Sequence, residues 1–422
     1  MASVCVLTAA VCGSSACRTS RPDDQVLRYL RLAVALGERD PDAIDYYYGP
    51  ETWVSDIRAH PPTLAAIKQA ALDLSREVKT NGQPRQDFVI KQLNAIVARA
   101  DVAQGVRLGL GDEARAFFDL DLPARTNAQE LNAVRREIDH LVPGRGSLAK
   151  RYADFDKRFT IPPERLGMVM DRAIQGCRER TLQHLKLPPS ESLKVEYVAD
   201  RPWNAYSSYQ GAFHSLIRVN VDFPLTVDRA LLLACHEGYP GHHAYNTLVD
   251  AELVQRQHRL ELMVQPTFSP QSLTSEAMAT YAPEVAFAED DRLRFEREAL
   301  FPLAGIPGDD AGLYLHVARL AEQLEDAQEE VATDYLDGRL EWARAGSALE
   351  DQALMLHAEA TLKYLNEYRS YMLTYTLGKD MVKECLAKSA PPDRWTLFER
   401  LILGRVSIRE CAPKAALGRH SR

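Results

Sequence analysis

The 422-residue sequence predicts a mostly helical fold with a small antiparallel β-sheet beside the helix that carries its densest histidine cluster. Two patterns predict this. Apolar residues recur at helical spacing over most of the chain, and only the segment between about residues 193 and 223 alternates with the period of a strand. Turn signals punctuate the rest: Gly49-Pro50, Pro61-Pro62, Asn81-Gly82, Pro143-Gly144, Pro188-Pro189 and Pro391-Pro392.

Met1 to Ala16 carries no charge, and Cys17-Arg18-Thr19-Ser20-Arg21 then turns polar. The apolar part is too short to span a bilayer and reads as a secretory leader over residues 1–21. Ser14-Ser15-Ala16-Cys17 resembles a lipobox, which would make Cys17 a lipid anchor and the protein periplasmic or membrane-attached; a cytoplasmic chain with a disordered leader is the alternative. A helical region is expected over 22–190. Asp24 to Leu36 places Val26, Leu27, Leu30, Leu32 and Val34 at helical spacing, and Thr63 to Val78 and Asp87 to Val102 follow the same pattern.

The second region, 191–422, begins with two alternating runs, Leu193 to Val198 and Leu216 to Phe223, expected to pair antiparallel. Pro224-Leu225-Thr226 then opens a helix, with Thr226 as its N-cap and Asp228 in its first turn. Arg229, Leu232, Leu233 and His236 share a face, so the helix points His236 inward. Further helices are expected around Glu276 (capped by Thr274 or Ser275), over Leu313 to Leu336, and over Leu349 to Leu377.

The net charge of −8 gives no support for nucleic-acid binding, and no stretch is apolar enough for a transmembrane span. The seven cysteines form no Cys-x-x-Cys pair and no disulfide framework, so Cys235 reads as a small buried side chain.

Chemistry concentrates in Cys235-His236-Glu237-Gly238-Tyr239-Pro240-Gly241-His242-His243, which holds three of the eleven histidines. Imidazoles beside a carboxylate suit a hydrolytic zinc. Pro240 stands where His-Glu-x-x-His would have its second histidine. It lacks the N–H that would bond the His236 carbonyl, and Gly241 frees the backbone, so the helix should break between Gly238 and Gly241. An unbroken helix would carry His242 roughly 9 Å along the axis. The break lets His242 or His243 return. Adjacent side chains diverge, so one of them ligates; His242 is preferred, with His243 supporting from behind. Glu237, roughly 100° round the helix from His236, is placed as general base. Glu276, among small residues on a later helix, is the third-ligand candidate. Tyr364, Tyr368, Tyr371 and Tyr375 share a helical face, and Tyr375 is the candidate for steadying an oxyanion, the others being core packing.

The run from His236 to His243 resembles the H-E-x-x-P-G-H-H signature of the bacterial domain of unknown function 885 family. Tyr47-Tyr48-Gly49-Pro50, Pro202-Trp203-Asn204-Ala205-Tyr206, Ile217 to Pro224, Ser275-Glu276-Ala277 and Tyr375-Thr376-Leu377-Gly378 are similar to its other landmarks. The resemblance spans about residues 25 to 380. It implies a zincin-like metallohydrolase over 191–422, with Zn2+ on His236, His242 and Glu276 and with Glu237 as general base. Ala277 stands where relatives often have glycine. The expected activity is a metallopeptidase on a peptide or other amide; a zinc amidase or esterase on a non-peptide substrate, or a metal-binding protein without catalysis, are the alternatives.

Overall fold

Residues 23–411, apart from 79–82, 123–124, 126, 202 and 389–390, are described by the computed structural model. The leader with Cys17, the Asn81-Gly82 turn and Pro202 lie outside the described residues. The fold is mostly helical, as the periodicity predicts.

The N-terminal helices follow their sequence signals closely. Asp23 caps Asp24–Gly37 by accepting from the Val26 N–H, and Thr63 caps Leu64–Glu77 in the same way through Ala66. Each such bond is worth about 1 kcal/mol. The next long helix runs Pro84–Ala103, with the proline where a missing N–H costs nothing.

Among the described residues, five strands form two small sheets. β1 (Ile44–Tyr47) pairs antiparallel with β5 (Val264–Pro266). β2 (Ser192–Val198), β3 (Ala205–Tyr209) and β4 (His214–Asn220) form a second sheet in the order β2-β4-β3. The two runs expected to pair antiparallel, β2 and β4, pair parallel. The antiparallel partner of β4 is β3, which lacks a long apolar alternation and escaped the sequence pattern. β3 occupies the middle of the connection, and that excursion turns the chain round so that β4 runs beside β2 in the same direction.

Two of the longer expected helices are interrupted. Leu313 to Leu336 divides into Ala311–Glu322 and Glu325–Leu336. Leu349 to Leu377 becomes the end of Trp342–Ala353, a left-handed Leu354 (φ 53°), the helix Ala358–Tyr368, Arg369 at φ 45°, and a 3₁₀ turn over Arg369–Thr374. Apolar spacing survives each break because the flanking turns still face the core, so periodicity alone does not register it.

The buried apolar side chains group into two cores. One gathers the N-terminal helices (Tyr29, Leu30, Leu93), the segment from Tyr245 to Met278 and the C-terminal helices. The other gathers Val169, Cys177, Ile217, Leu231, Cys235 and the segment around Phe301 and Tyr314. Each core takes residues from both sides of position 190, so neither half of the chain owns a core of its own.

Candidate metal centre

The site forms where the two cores meet. The helix Val227–Glu237 packs its Ala230, Leu231, Ala234 and Cys235 into the second core and delivers His236 and Glu237 at its last turn. Thr226 stands at its N-cap position but makes no capping bond through its side chain. Asp228 is buried and paired with Arg292. The helix then stops. Gly238 (φ −103°, ψ −98°), a cis Tyr239–Pro240 bond and Gly241 (φ −71°, ψ −140°) turn the chain before a new helix starts at His242 and runs to Leu248. The Gly241 N–H donates to the Cys235 carbonyl at 3.0 Å, which folds the chain back against the helix it has just left. A Cβ on Gly241 would sit 1.9 Å from the His236 carbonyl oxygen and 2.4 Å from that of Cys235. Only glycine fits so close an approach.

The third element belongs to the first core. Pro270–Thr280 is capped by Ser269, whose Oγ accepts from the Ser272 N–H; Thr274 and Ser275 lie inside the helix rather than at its start. Its buried Leu273, Ala277 and Met278 face the first core, and Glu276 faces the His236 helix. Gly378 packs closely on it: a Cβ there would meet Ala277 Cβ at 3.0 Å.

His236, His242 and Glu276 come together, with one ligand-type atom from each within 4.8 Å of the others. His236 Nε2 lies 3.5 Å from Glu276 Oε2, and His242 Nε2 lies 3.4 Å from Glu276 Oε1. The two imidazoles are near perpendicular (82°), with centroids 4.8 Å apart. His242 Nδ1 meets Ser275 Oγ at 3.3 Å, which leaves Nε2 facing the cluster. Glu276 Oε1 accepts from Tyr371 Oη at 2.7 Å, while among the described residues the buried Oε2 has no hydrogen-bond partner. Burial alone would lower the His242 pKa, but the charge and hydrogen bond of Glu276 outweigh it and raise it to about 9. The same two histidines hold the Glu276 carboxyl far below its ordinary range despite burial.

These donors fit a zinc ion. Two ligands each about 2.0–2.1 Å from a tetrahedral zinc stand about 3.4 Å apart, close to the separations seen here. Glu276 Oε2, which accepts no hydrogen bond among the described residues, has a lone pair to offer. Nitrogen and carboxylate donors suit the same ion.

Glu237 is buried and lies outside this three-residue cluster. Burial raises its pKa, and the charges of His236 and His242 oppose that rise. Tyr375 is half-buried, with its ring 6.1 Å from that of His236 and 5.7 Å from that of Tyr371. Burial and the Glu276 charge push its hydroxyl well above its ordinary pKa, so it stays protonated and able to donate.

His243 takes a different direction from His242. It is fully buried, with Nδ1 2.8 Å from Ser215 Oγ and Nε2 2.9 Å from Glu191 Oε2. Glu191 also accepts from Tyr239 Oη (2.6 Å) and from Arg178 Nη2 (2.6 Å). Cys235 is not a free thiol: it is bonded to Cys177 on the helix Pro163–Thr181, and a second disulfide joins Cys385 to Cys411. Cysteines 58 and 26 residues apart carry no local signature, so only the fold pairs them.

Four further residues near the site, Tyr371, Tyr206, Asp45 and Gln265, were not singled out as site residues from the sequence. Tyr371 reaches Glu276 directly, although its spacing marked it only as core packing. Tyr206 donates to Asp45 Oδ1 at 2.7 Å, and Gln265 Nε2 donates to Asp45 Oδ2 at 2.9 Å. Burial raises the Asp45 carboxyl to about 6; Tyr206 and His242 work against that rise, and Glu276 and Glu237 add to it.

No family model matches the chain, and no curated protein matches it. Among solved structures, it is similar to a "putative lipoprotein" from Colwellia psychrerythraea (12% identity, TM-score 0.47, covering 91% of this chain and 75% of that one). It is also similar to a "putative lipoprotein of unknown function" from Shewanella oneidensis (15% identity, TM-score 0.47, covering 82% of this chain and 72% of that one).

Proposed function

We propose that the chain is a zinc-dependent hydrolase of the metallopeptidase type. The observation that carries this reading is the convergence of His236, His242 and Glu276 with a buried Glu237 beside them. A purely structural zinc is usually closed by four protein ligands and has no use for an adjacent carboxylate base. The resemblance of the His236–His243 run to the H-E-x-x-P-G-H-H signature points the same way.

His236 Nε2, His242 Nε2 and a Glu276 carboxylate oxygen would hold the ion. When bound, zinc supplies Lewis acidity toward a carbonyl and acidifies water at neutral pH. Glu237 takes the proton of the attacking water on a carboxylate oxygen and passes it to the leaving amine nitrogen. Tyr375 Oη, kept protonated by its surroundings, donates to the oxygen that gains charge at the substrate carbonyl. Tyr371 orients Glu276 through Oε1, and Ser275 orients His242 through Nδ1.

The test is Glu237→Gln. Zinc content should stay at the wild-type level while peptide turnover falls by about 10²–10⁴-fold. Full turnover in that variant would overturn the mechanism.

Export is part of the same proposal. Two disulfides between well-separated cysteines belong to an oxidising compartment. Among the described residues no helix is long and apolar enough to cross a membrane. Labelling with a palmitate analogue in a bacterial host tests the lipid anchor; equal label on Cys17→Ala would exclude it.

A further inference from the structure

Asp45 has no part in the chemistry above, yet it lies close to it. It acts electrostatically on His242, Glu276 and Glu237, and on Tyr371 and Tyr368. It lies on β1, and Tyr206 of β3 reaches across to it, bonding both its side chain (2.7 Å) and its carbonyl (3.0 Å). The same strand, β3, packs against both β1 and the helix Val227–Glu237 that ends in Glu237. One strand therefore ties Asp45 and the general base into a common frame.

Both hydrogen bonds to the Asp45 carboxylate come from neutral groups, Tyr206 Oη and Gln265 Nε2. Among the described residues no lysine, arginine or histidine forms an ion pair with it, whereas His236 and His242 are turned to Glu276. A carboxylate offers about four acceptor positions, so about two remain. A partly buried carboxylate with free acceptor positions and no cation, beside a site built to attack a carbonyl, suits a cationic group on the substrate.

We propose that Asp45 binds the free α-amine of a peptide, so that the site acts on substrates with an unblocked N-terminus. This deepens the hydrolase reading and rests on it. A peptide α-amine with a pKa of about 7.7–8.0 is mostly protonated at neutral pH and presents three N–H donors. Its charge-assisted bonds to Asp45 would replace the water that burial removes. N-acetylation removes the charge and sets a carbonyl and a methyl against an unsatisfied carboxylate, which is costly where water is excluded. Tyr206 and Gln265 act as positioning residues that hold the carboxylate in one orientation.

The test separates recognition from turnover. Zinc-loaded full-length Glu237→Gln protein is titrated calorimetrically with tetra-alanine and with N-acetyl-tetra-alanine. The free-amine peptide should bind at least about tenfold more tightly. Adding Asp45→Asn should remove that preference by weakening the free-amine peptide alone. Equal binding of the two peptides, or binding of neither, overturns the proposal. The ligand comparison needs no change at Asp45, so a misfolded Asp45→Asn leaves the outcome decided. Wild-type digestion of the same pair runs in parallel. Amine-selective binding without any cleavage would sink the hydrolase reading and leave amine recognition standing. Equal cleavage of both peptides would do the reverse.

Discussion

His242 and His243 are neighbours in sequence, yet the first faces Glu276 and the second is clasped by Glu191 and Ser215. Successive residues on a helix differ by about 100°, so the first turn after Gly241 can present only one of them to His236 and Glu276. Glu191 then locks the choice. It accepts from Tyr239 on one side of the bend and from His243 on the other. Burial would raise its pKa, but His243, Tyr239 and Arg178 more than offset that and hold it at about 2, below the ordinary 4.5. A carboxylate depressed in the folded state contributes stability that is complete above about 4.5 and lost as pH falls toward about 2. Glu191→Gln should therefore flatten the acid limb of the stability curve between those values, measured by urea unfolding at a series of pH values. An unchanged acid limb would mean that the Glu191 contacts contribute nothing net.

At the scale of elements, the bend between the two histidine helices is the critical piece. Pro240 ends the first helix, Gly241 allows the chain to approach its carbonyls, and the new helix starts within one residue. Gly241→Ala would drive a methyl into the His236 and Cys235 carbonyls. The backbone would have to open, moving His242 away from Glu276. Expected is a loss of several kcal/mol or outright failure to fold, with zinc content falling in whatever folds; normal zinc stoichiometry by elemental analysis would contradict this account. The break itself was legible, since proline and glycine act locally through covalent geometry. The direction in which the chain left the break was not, because that depends on Glu191, Ser215 and the β-sheet behind His243. Strand pairing shows the same limit. Alternation marked β2 and β4, but their parallel alignment follows from the intervening β3, which pairs with β4 from the other side.

For the whole molecule, the site lies at the seam between two cores, and the Cys177–Cys235 disulfide ties the His236 helix to the helix Pro163–Thr181. Both sulfurs are fully buried, and the closed loop spans 58 residues. A cross-link of that size restrains the unfolded chain by about 4 kcal/mol in the loop-entropy account. Cys177→Ser with Cys235→Ser should therefore lower Tm markedly, as read by calorimetry, and weaken zinc retention against a chelator because Cys235 adjoins His236. A double variant with unchanged Tm and zinc retention would show the cross-link to be dispensable.

The sequence alone determined the helical class, the strand-forming segment, the helix break and the candidate set His236, Glu237, His242 and Glu276. Those features follow from periodicity, from backbone restriction and from the few side chains suited to a metal, all of which act within a few residues. The tertiary structure decided the rest: that His242 rather than His243 faces Glu276, that Tyr371 orients that glutamate, that Cys235 is cross-linked, and that Asp45 arrives from nearly two hundred residues upstream. These depend on which surfaces two separate cores bring into contact, and contacts between distant segments leave no mark on local spacing.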